Sequence, residues 1–339
     1  MAFRVRGPAG AVTTGAAPSM PAGGRAVRVL VCVAADEASP WMALFESALP
    51  DARVERREPG APVDATAPAA DYVVAAQPCE HLFAEQRAPR AVFTLSAGVG
   101  HALRMPHLPA GVPLIRVEDA GMAPQMVRYV LAVVLRHAQR LDEYAMQQGR
   151  QQWEQREPRA ASSLAVGILG LGVIGAAIAR ALAAQGFAVR GHARSHKAIA
   201  GVRCHAGDAE FPAFLAGLDV LVSIVPDTPA TRGILNRTTL SQLADGAHLV
   251  NVGRGSALVE DDLVPLLDAG KLGGATLDVF GKEPLPPEHP FWRHPRIAVT
   301  PHVAGLTVPE DTVAQIAAKI GRLERGETVT GVVDRTRGY

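Results

Sequence analysis

Three short patches carry side chains able to do chemistry, and each follows an expected strand. They are Asn251-Val252-Gly253-Arg254-Gly255, then Leu277-Asp278-Val279-Phe280-Gly281-Lys282-Glu283-Pro284, then Pro301-His302-Val303-Ala304-Gly305. In open α/β sheets ligands bind beyond the carboxyl ends of the strands, so an arginine, an acid and a histidine can converge on one cleft. Arginine offers a planar, two-pronged donor that stays charged, which suits a carboxylate. Histidine gives or takes a proton near neutrality. One histidine among 11 is usually a plain surface or core residue. The weight lies on the three patches together.

Positioning them needs strands at regular intervals. From residue 28 onward, short apolar runs alternate with helix-like stretches. Arg28–Val33, Tyr72–Ala76 and Ala91–Leu95 read as buried strands, Pro113–Val117 as a weaker one, and Trp41–Leu49 as a helix between them. Gly60–Ala70, with Pro62 and Pro68, reads as a loop. One long helix is expected from about Met122 to Gln148, where Met126, Tyr129, Val130, Val133, Val134 and His137 recur at three- and four-residue spacing. After Pro158 a second alternation begins, with strands expected at Leu164–Leu169, Phe187–His192, Val220–Val225, His248–Val252, Thr276–Val279 and Ile297–Thr300. Alternating strand and helix implies a parallel sheet covered on both faces. Two such blocks imply two α/β domains.

The second block opens on Gly170-Leu171-Gly172-Val173-Ile174-Gly175, a GxGxxG loop between an apolar strand and the alanine-rich helix Ala176–Gln185. Gly170 permits the tight turn, Gly172 lets the backbone approach a pyrophosphate, and Gly175 lets the helix pack on the strand. Amides at the helix start favour phosphate. A site selective for NAD would carry an acid at the end of the next strand, to bind the ribose 2′-hydroxyl. No acid occurs from Ala176 to Gly207, and the expected position reads Ala193-Arg194-Ser195-His196-Lys197. A guanidinium pairs with a 2′-phosphate that a carboxylate would repel. Arg194, Ser195 and Lys197 therefore point to NADP(H), with NAD as the weaker cofactor. The bland alternative is a solvated loop with little selectivity.

These motifs resemble the D-isomer-specific 2-hydroxyacid dehydrogenase family over nearly the whole chain from about residue 28, and within it the bacterial glyoxylate/hydroxypyruvate reductase A group. Further marks are Leu95–Val99 (LSAGV), Val117–Met122 (VEDAGM), Val259–Leu263 (VEDDL), Glu283–Pro287 (EPLPP) and Val333–Tyr339 (VDRTRGY). The resemblance implies two doubly wound parallel-sheet domains. A flavodoxin-like substrate domain would take residues 27–121 plus 305–339, and a Rossmann-type nucleotide domain residues 122–304. It implies a homodimer, a cleft that closes on a small 2-keto or 2-hydroxy acid, and hydride transfer with the nicotinamide. By resemblance Arg254 is the substrate arginine, His302 the acid/base and Glu283 its paired carboxylate. Ala97, Gly98 and Val99 belong to a loop that binds the substrate carboxylate through backbone amides, where small residues allow close approach. Asp278 lies near the nicotinamide end of the cofactor, and Thr228 and Thr231 lie in a loop bordering it. Trp41 and Trp292 read as packing residues. Two alternatives stand beside this reading: a reductase of a bulkier 2-keto acid, and a non-catalytic nucleotide-sensing relative. The latter would have no use for a proton donor at His302.

Composition narrows the remaining classes. The 339 residues are 48% hydrophobic and 20% charged, enough for substantial cores, with a net charge of +1 that lacks the basic excess of a nucleic-acid binder. No apolar run is long enough to span a membrane. Three scattered cysteines (Cys32, Cys79, Cys204) suggest neither a disulfide framework nor a zinc set, and are expected as free buried thiols in a reducing cytoplasm. No metal is expected. Residues 1–26, rich in Ala, Gly and Pro and without an acid, are expected as a disordered tail.

Overall fold

A computed structural model describes residues 25–64, 66–75, 79, 81–96, 98–336 and 338. The tail expected over residues 1–26 thus lies, but for its last two residues, outside the described residues, as does Ala97. These residues form two compact units.

The first unit holds the described residues up to Thr94, Met105–Ile115 and Pro309–Val332. Its strands are β1 (Arg28–Cys32), β2 (Arg53–Arg57), β3 (Tyr72–Ala75), β4 (Ala91–Thr94) and β5 (Leu114–Ile115), with helices α1 (Ala38–Ala48), α2 (Leu82–Glu85) and α10 (Pro309–Glu324). All pairings are parallel, in the order β2-β1-β3-β4-β5, a flavodoxin-like arrangement. Central strands β3 and β4 are buried at every residue. Strand β2 was not expected from the sequence because RVERR has almost no apolar residues, and its place at the sheet edge explains why it needs none. The cysteines correct an expectation here. Cys32 and Cys79 are not free thiols but form a disulfide. Adjacent parallel strands β1 and β3 bring their carboxyl ends together, a proximity that a 47-residue separation hides. Cys204 is free.

The second unit holds Leu95–Arg104, Arg116–Val308 and the chain from Val333. Segment 95–104 was expected with the first unit, as was the end of the chain. Its elements are α3 (Gly100–Leu103), α4 (Met122–Ala138), α5 (Leu141–Gly149), β6 (Ala165–Leu169), α6 (Val173–Ala184), β7 (Ala188–Ala193), β8 (Val202–Ala206), α7 (Gly207–Leu215), β9 (Val220–Ser223), α8 (Arg237–Leu240), β10 (Ala247–Asn251), α9 (Glu260–Asp268), β11 (Leu272–Leu277) and β12 (Ile297–Val299). The seven strands run parallel in the order β12-β11-β10-β9-β6-β7-β8. Strand order reverses between β6 and β9, the switch point at which such sheets bind dinucleotides. Two apolar clusters cover the two faces. One holds Phe214, Leu221, Leu249 and Leu277, and the other Val166, Ile178, Val220 and Val250.

The long helix expected from Met122 to Gln148 is two helices. Arg140 adopts a left-handed φ of 55°, and its N–H bonds the carbonyl of His137, ending α4 before α5 starts. No Gly or Pro announces the break, so the apolar spacing reads through it. Strand β8 also went unexpected, and it too is an edge strand.

Candidate active site

Every chemically active patch follows the carboxyl end of a strand in the second sheet. Arg254 lies three residues beyond β10, Glu283 six beyond β11 and His302 three beyond β12. The three line one cavity of about 260 Å³, together with Asp227, Gly255, Ser256, Phe280 and Gly281.

Backbone hydrogen bonds to buried side chains hold these groups in place. Asn251, fully buried at the end of β10, donates to the carbonyl of Arg254 (3.0 Å) and accepts from Gly253 N (3.3 Å), closing the turn that carries the arginine. Gly255 is required by a neighbour: a Cβ there would sit 1.9 Å from the carbonyl carbon of Phe280, so the Arg254 and Glu283 loops interlock at this point. The Arg254 guanidinium donates to the Gly253 carbonyl (2.6 Å). Burial pulls it below the usual arginine value while Glu283 and Asp227 oppose that shift, and a guanidinium stays charged regardless. Asp227 is held below the ordinary carboxylate value by Arg232, with Ser256 adding to the effect.

His302 Nδ1 lies 2.8 Å from Glu283 Oε2, while Glu283 Oε1 accepts from Phe280 N at 2.9 Å. The second ring nitrogen is left for a proton donor's work. The ring is about half exposed, and its residue takes a left-handed φ of 54°, a strained backbone for a non-glycine. What imposes this conformation is Asp278. Its buried carboxylate accepts from Thr300 Oγ1 (2.6 Å), Val303 N (2.9 Å) and Ala304 N (3.0 Å), and its carbonyl accepts from His302 N (2.9 Å). Asp278, expected near the cofactor, has its carboxylate engaged beneath the histidine loop. Tyr129 extends the same network through Thr300 (2.7 Å).

The loop at residues 96–100 reaches the arginine. A Cβ on Gly98 would lie 2.0 Å from Arg254 Nη2, so the guanidinium rests against the backbone there. Ser96 Oγ donates to the Gly98 carbonyl (2.8 Å), and Val99 is buried. Ala97 lies outside the described residues.

Further along the same carboxyl edge, Gly170 turns with φ 107° between β6 and α6. A Cβ on Gly175 would fall 1.9 Å from the Gly170 carbonyl oxygen, whereas one on Gly172 would meet nothing within 4 Å. The first position must lack a side chain for the fold. The second leaves open the space beside the first amides of α6, which suits a pyrophosphate. Leu171 is buried and Val173 exposed, with Ile174 between these extremes. Arg194, Ser195, His196 and Lys197 are all exposed just past β7. One carboxylate does approach this loop: Glu210 on α7 lies 3.9 Å from His196 Nε2, a nearness that reading β7 alone could not give. Thr231 Oγ1 is engaged within its own loop, with Pro226 O (2.6 Å) and Thr228 N (2.9 Å).

Beside the catalytic cavity lies a second one of about 390 Å³ with mostly apolar walls, sharing Phe280, Glu283 and His302 and adding Pro284, Leu285, Trp292, Val299 and Pro301. Trp292 is half exposed, and its Nε1 donates to the Pro286 carbonyl (2.9 Å). Asp227 and Asn251 were given no role from the sequence; their only signal was their place just after β9 and at the end of β10. Among the described residues no helix is long and apolar enough to cross a membrane.

A parallel seven-stranded dinucleotide sheet whose strand ends carry an Arg, a Glu–His pair and a glycine turn defines a nicotinamide-linked dehydrogenase. The chain belongs to the D-isomer specific 2-hydroxyacid dehydrogenase family, whose NAD binding domain matches residues 131–304. It is 46% identical to glyoxylate/hydroxypyruvate reductase A of Serratia proteamaculans over 307 residues, covering 89% of this chain and 96% of that one. The same-named protein of Yersinia enterocolitica is 44% identical, with coverages of 89% and 97%. Among solved structures, a D-isomer specific 2-hydroxyacid dehydrogenase from Xanthobacter autotrophicus in complex with NADPH and MES aligns with a TM-score of 0.86 at 36% identity, covering 93% of this chain and all of that one. An NADPH-dependent glyoxylate/hydroxypyruvate reductase from Sinorhizobium meliloti in complex with NADP and sulfate aligns at 0.84 and 35%, covering 92% of this chain and all of that one.

Proposed function

We propose that this protein is an NADPH-dependent reductase of small 2-keto acids, glyoxylate and hydroxypyruvate, acting as a cytoplasmic homodimer. The observation that carries the reading is that Arg254 and the His302–Glu283 pair line a single cavity. The relatives named above support the choice of substrates and cofactor.

Gly170, Leu171, Gly172, Val173, Ile174 and Gly175 hold the pyrophosphate, and Arg194, Ser195 and Lys197 the 2′-phosphate. Thr231 shapes the loop bordering the dinucleotide, and Asp278 acts on the nicotinamide side through the segment it anchors. Bound there, NADPH supplies the hydride. Arg254 and the amides of Ala97, Gly98 and Val99 hold the substrate carboxylate, with the guanidinium also polarising the carbonyl. His302 gives its proton to the carbonyl oxygen as charge develops there, and Glu283 keeps the ring oriented through Nδ1. Keto acid, NADPH and one proton become hydroxy acid and NADP⁺.

The adjoining apolar cavity favours a second reading, a bulkier 2-keto acid with its side chain beyond His302. Initial rates with NADPH and NADH against glyoxylate, hydroxypyruvate, pyruvate and a branched 2-keto acid separate the two. The His302→Ala variant should lose about 10²–10⁴-fold in kcat while still binding NADPH. A variant near the wild-type rate would refute the assignment.

A further inference from the structure

One loop, Phe280–Trp292, walls both cavities: Phe280 and Glu283 line the two, and Pro284, Leu285 and Trp292 line the apolar one alone. Within it the Phe280 amide binds Glu283, and the indole of Trp292 binds the Pro286 carbonyl. Neither bond ties the wall to the rest of the fold. Glu260, the first residue of α9, does so at two points. Its Oε1 accepts from Gly281 N at 2.9 Å, one residue after the amide held by Glu283. Its Oε2 lies 3.5 Å from His289 Nε2 at the far end of the loop. His289 Nδ1 accepts from Phe291 N (3.4 Å), so the ring hydrogen sits on Nε2, facing Glu260. Both side chains are largely buried, His289 20% and Glu260 26% exposed. The VEDDL motif thus places a carboxylate against the catalytic wall, with no part assigned to it so far.

We propose that Glu260 is a positioning residue of the reaction: its carboxylate fastens both ends of the Phe280–Trp292 wall and so holds Glu283 against His302. The proposal rests on the reductase reading above. Helix α9 is packed into the core through Leu263, Leu266 and Leu267, so it gives the loop a fixed point. Loss of that point lets Glu283 drift, and small misplacements near the reacting groups are costly in rate. The charged groups on and beside the wall are Asp227, Arg254, Glu260, Lys282, Glu283, Glu288, His289, Arg293 and His302.

The test compares Glu260→Ala, Glu260→Gln and His289→Ala, each alone and with Glu283→Gln, in kcat for glyoxylate reduction across pH 5–9. In the Glu283-containing background Glu260→Ala should lower kcat about tenfold. It should leave NADPH affinity unchanged. Glu260→Gln keeps an acceptor for Gly281 N and should recover most of the rate. In the Glu283→Gln background Glu260→Ala should add nothing. An equal loss in both backgrounds means a merely structural role and overturns the proposal. If Glu260→Ala does not fold, His289→Ala carries the same comparison. Amide hydrogen exchange at Phe280 and Gly281, followed by NMR in the same proteins, should quicken in Glu260→Ala. That readout survives even if the wild type reduces no 2-keto acid, an outcome that would sink the reductase reading alone.

Discussion

Two stretches of the second sheet's carboxyl edge are built by opposite means. After β6 the dinucleotide turn is shaped by side chains that are missing: Gly170 bends, Gly172 leaves space and Gly175 lets α6 close on the strand. After β10, β11 and β12 the catalytic turns are shaped by side chains that are present. Asn251, Asp278, Glu283 and Glu260 each capture backbone amides. One stretch should therefore fail when atoms are added, and the other when atoms are removed. Binding a long ligand along its backbone calls for bare main chain. Holding a proton donor to within a fraction of an ångström calls for cross-bracing.

The contrast breaks first, and most severely, at Gly175. Gly175→Ala puts a methyl 1.9 Å from a backbone oxygen, so α6 must shift. We expect NADPH affinity to fall at least tenfold and stability by about 1–3 kcal/mol, read by fluorescence titration and thermal melting; an unaffected Kd would show that the turn tolerates bulk. Gly98→Ala sharpens the comparison, because it adds an atom at the catalytic site, where the Arg254 guanidinium already lies. Here we expect KM for glyoxylate to rise about tenfold with NADPH binding intact, since only the arginine is displaced. Arg194→Asp reverses a charge on the dinucleotide stretch without touching the glycines. It should cut the NADPH/NADH preference about tenfold, and an unchanged ratio in paired kinetics would remove the 2′-phosphate argument.

The smallest effect concerns the neutral underside of the sheet. His248 near the start of β10 is pushed down to about 4 by burial, and His137, whose ring lies 5.3 Å away, is lowered by the same cause. A histidine with a depressed folded value costs stability once the unfolded chain can protonate and the folded one cannot. Stability should therefore fall from about pH 6.5 toward pH 4 and then level, with at most roughly 3 kcal/mol from His248. His248→Gln, which keeps a partner for Thr276, should flatten that slope in melts taken across the range.

How much the sequence disclosed follows from the same contrast. The glycine turn was legible because its spacing is local, lying within a single strand–turn–helix unit. Arg254, Glu283 and His302 were legible through their places after apolar strands and through the family likeness. The bracing of the histidine loop by Asp278 was not legible, because a buried carboxylate bonded to amides two dozen residues away leaves no local pattern. Glu210, Glu260 and the Cys32–Cys79 pair were invisible for a related reason: each meets its partner across a sheet or loop whose geometry has no trace in spacing. Strands β2 and β8 escaped because edges need not be apolar.

The Arg194–Lys197 loop has a consequence for how such a protein can change. Its four side chains stand in solvent beyond the last turn of β7, outside both apolar clusters. On the proposed 2′-phosphate reading, two or three point mutations in that loop exchange one electron-donor pool for another without disturbing the core or the acid–base pair. Cofactor preference then varies at the surface, at no cost to the rest of the architecture.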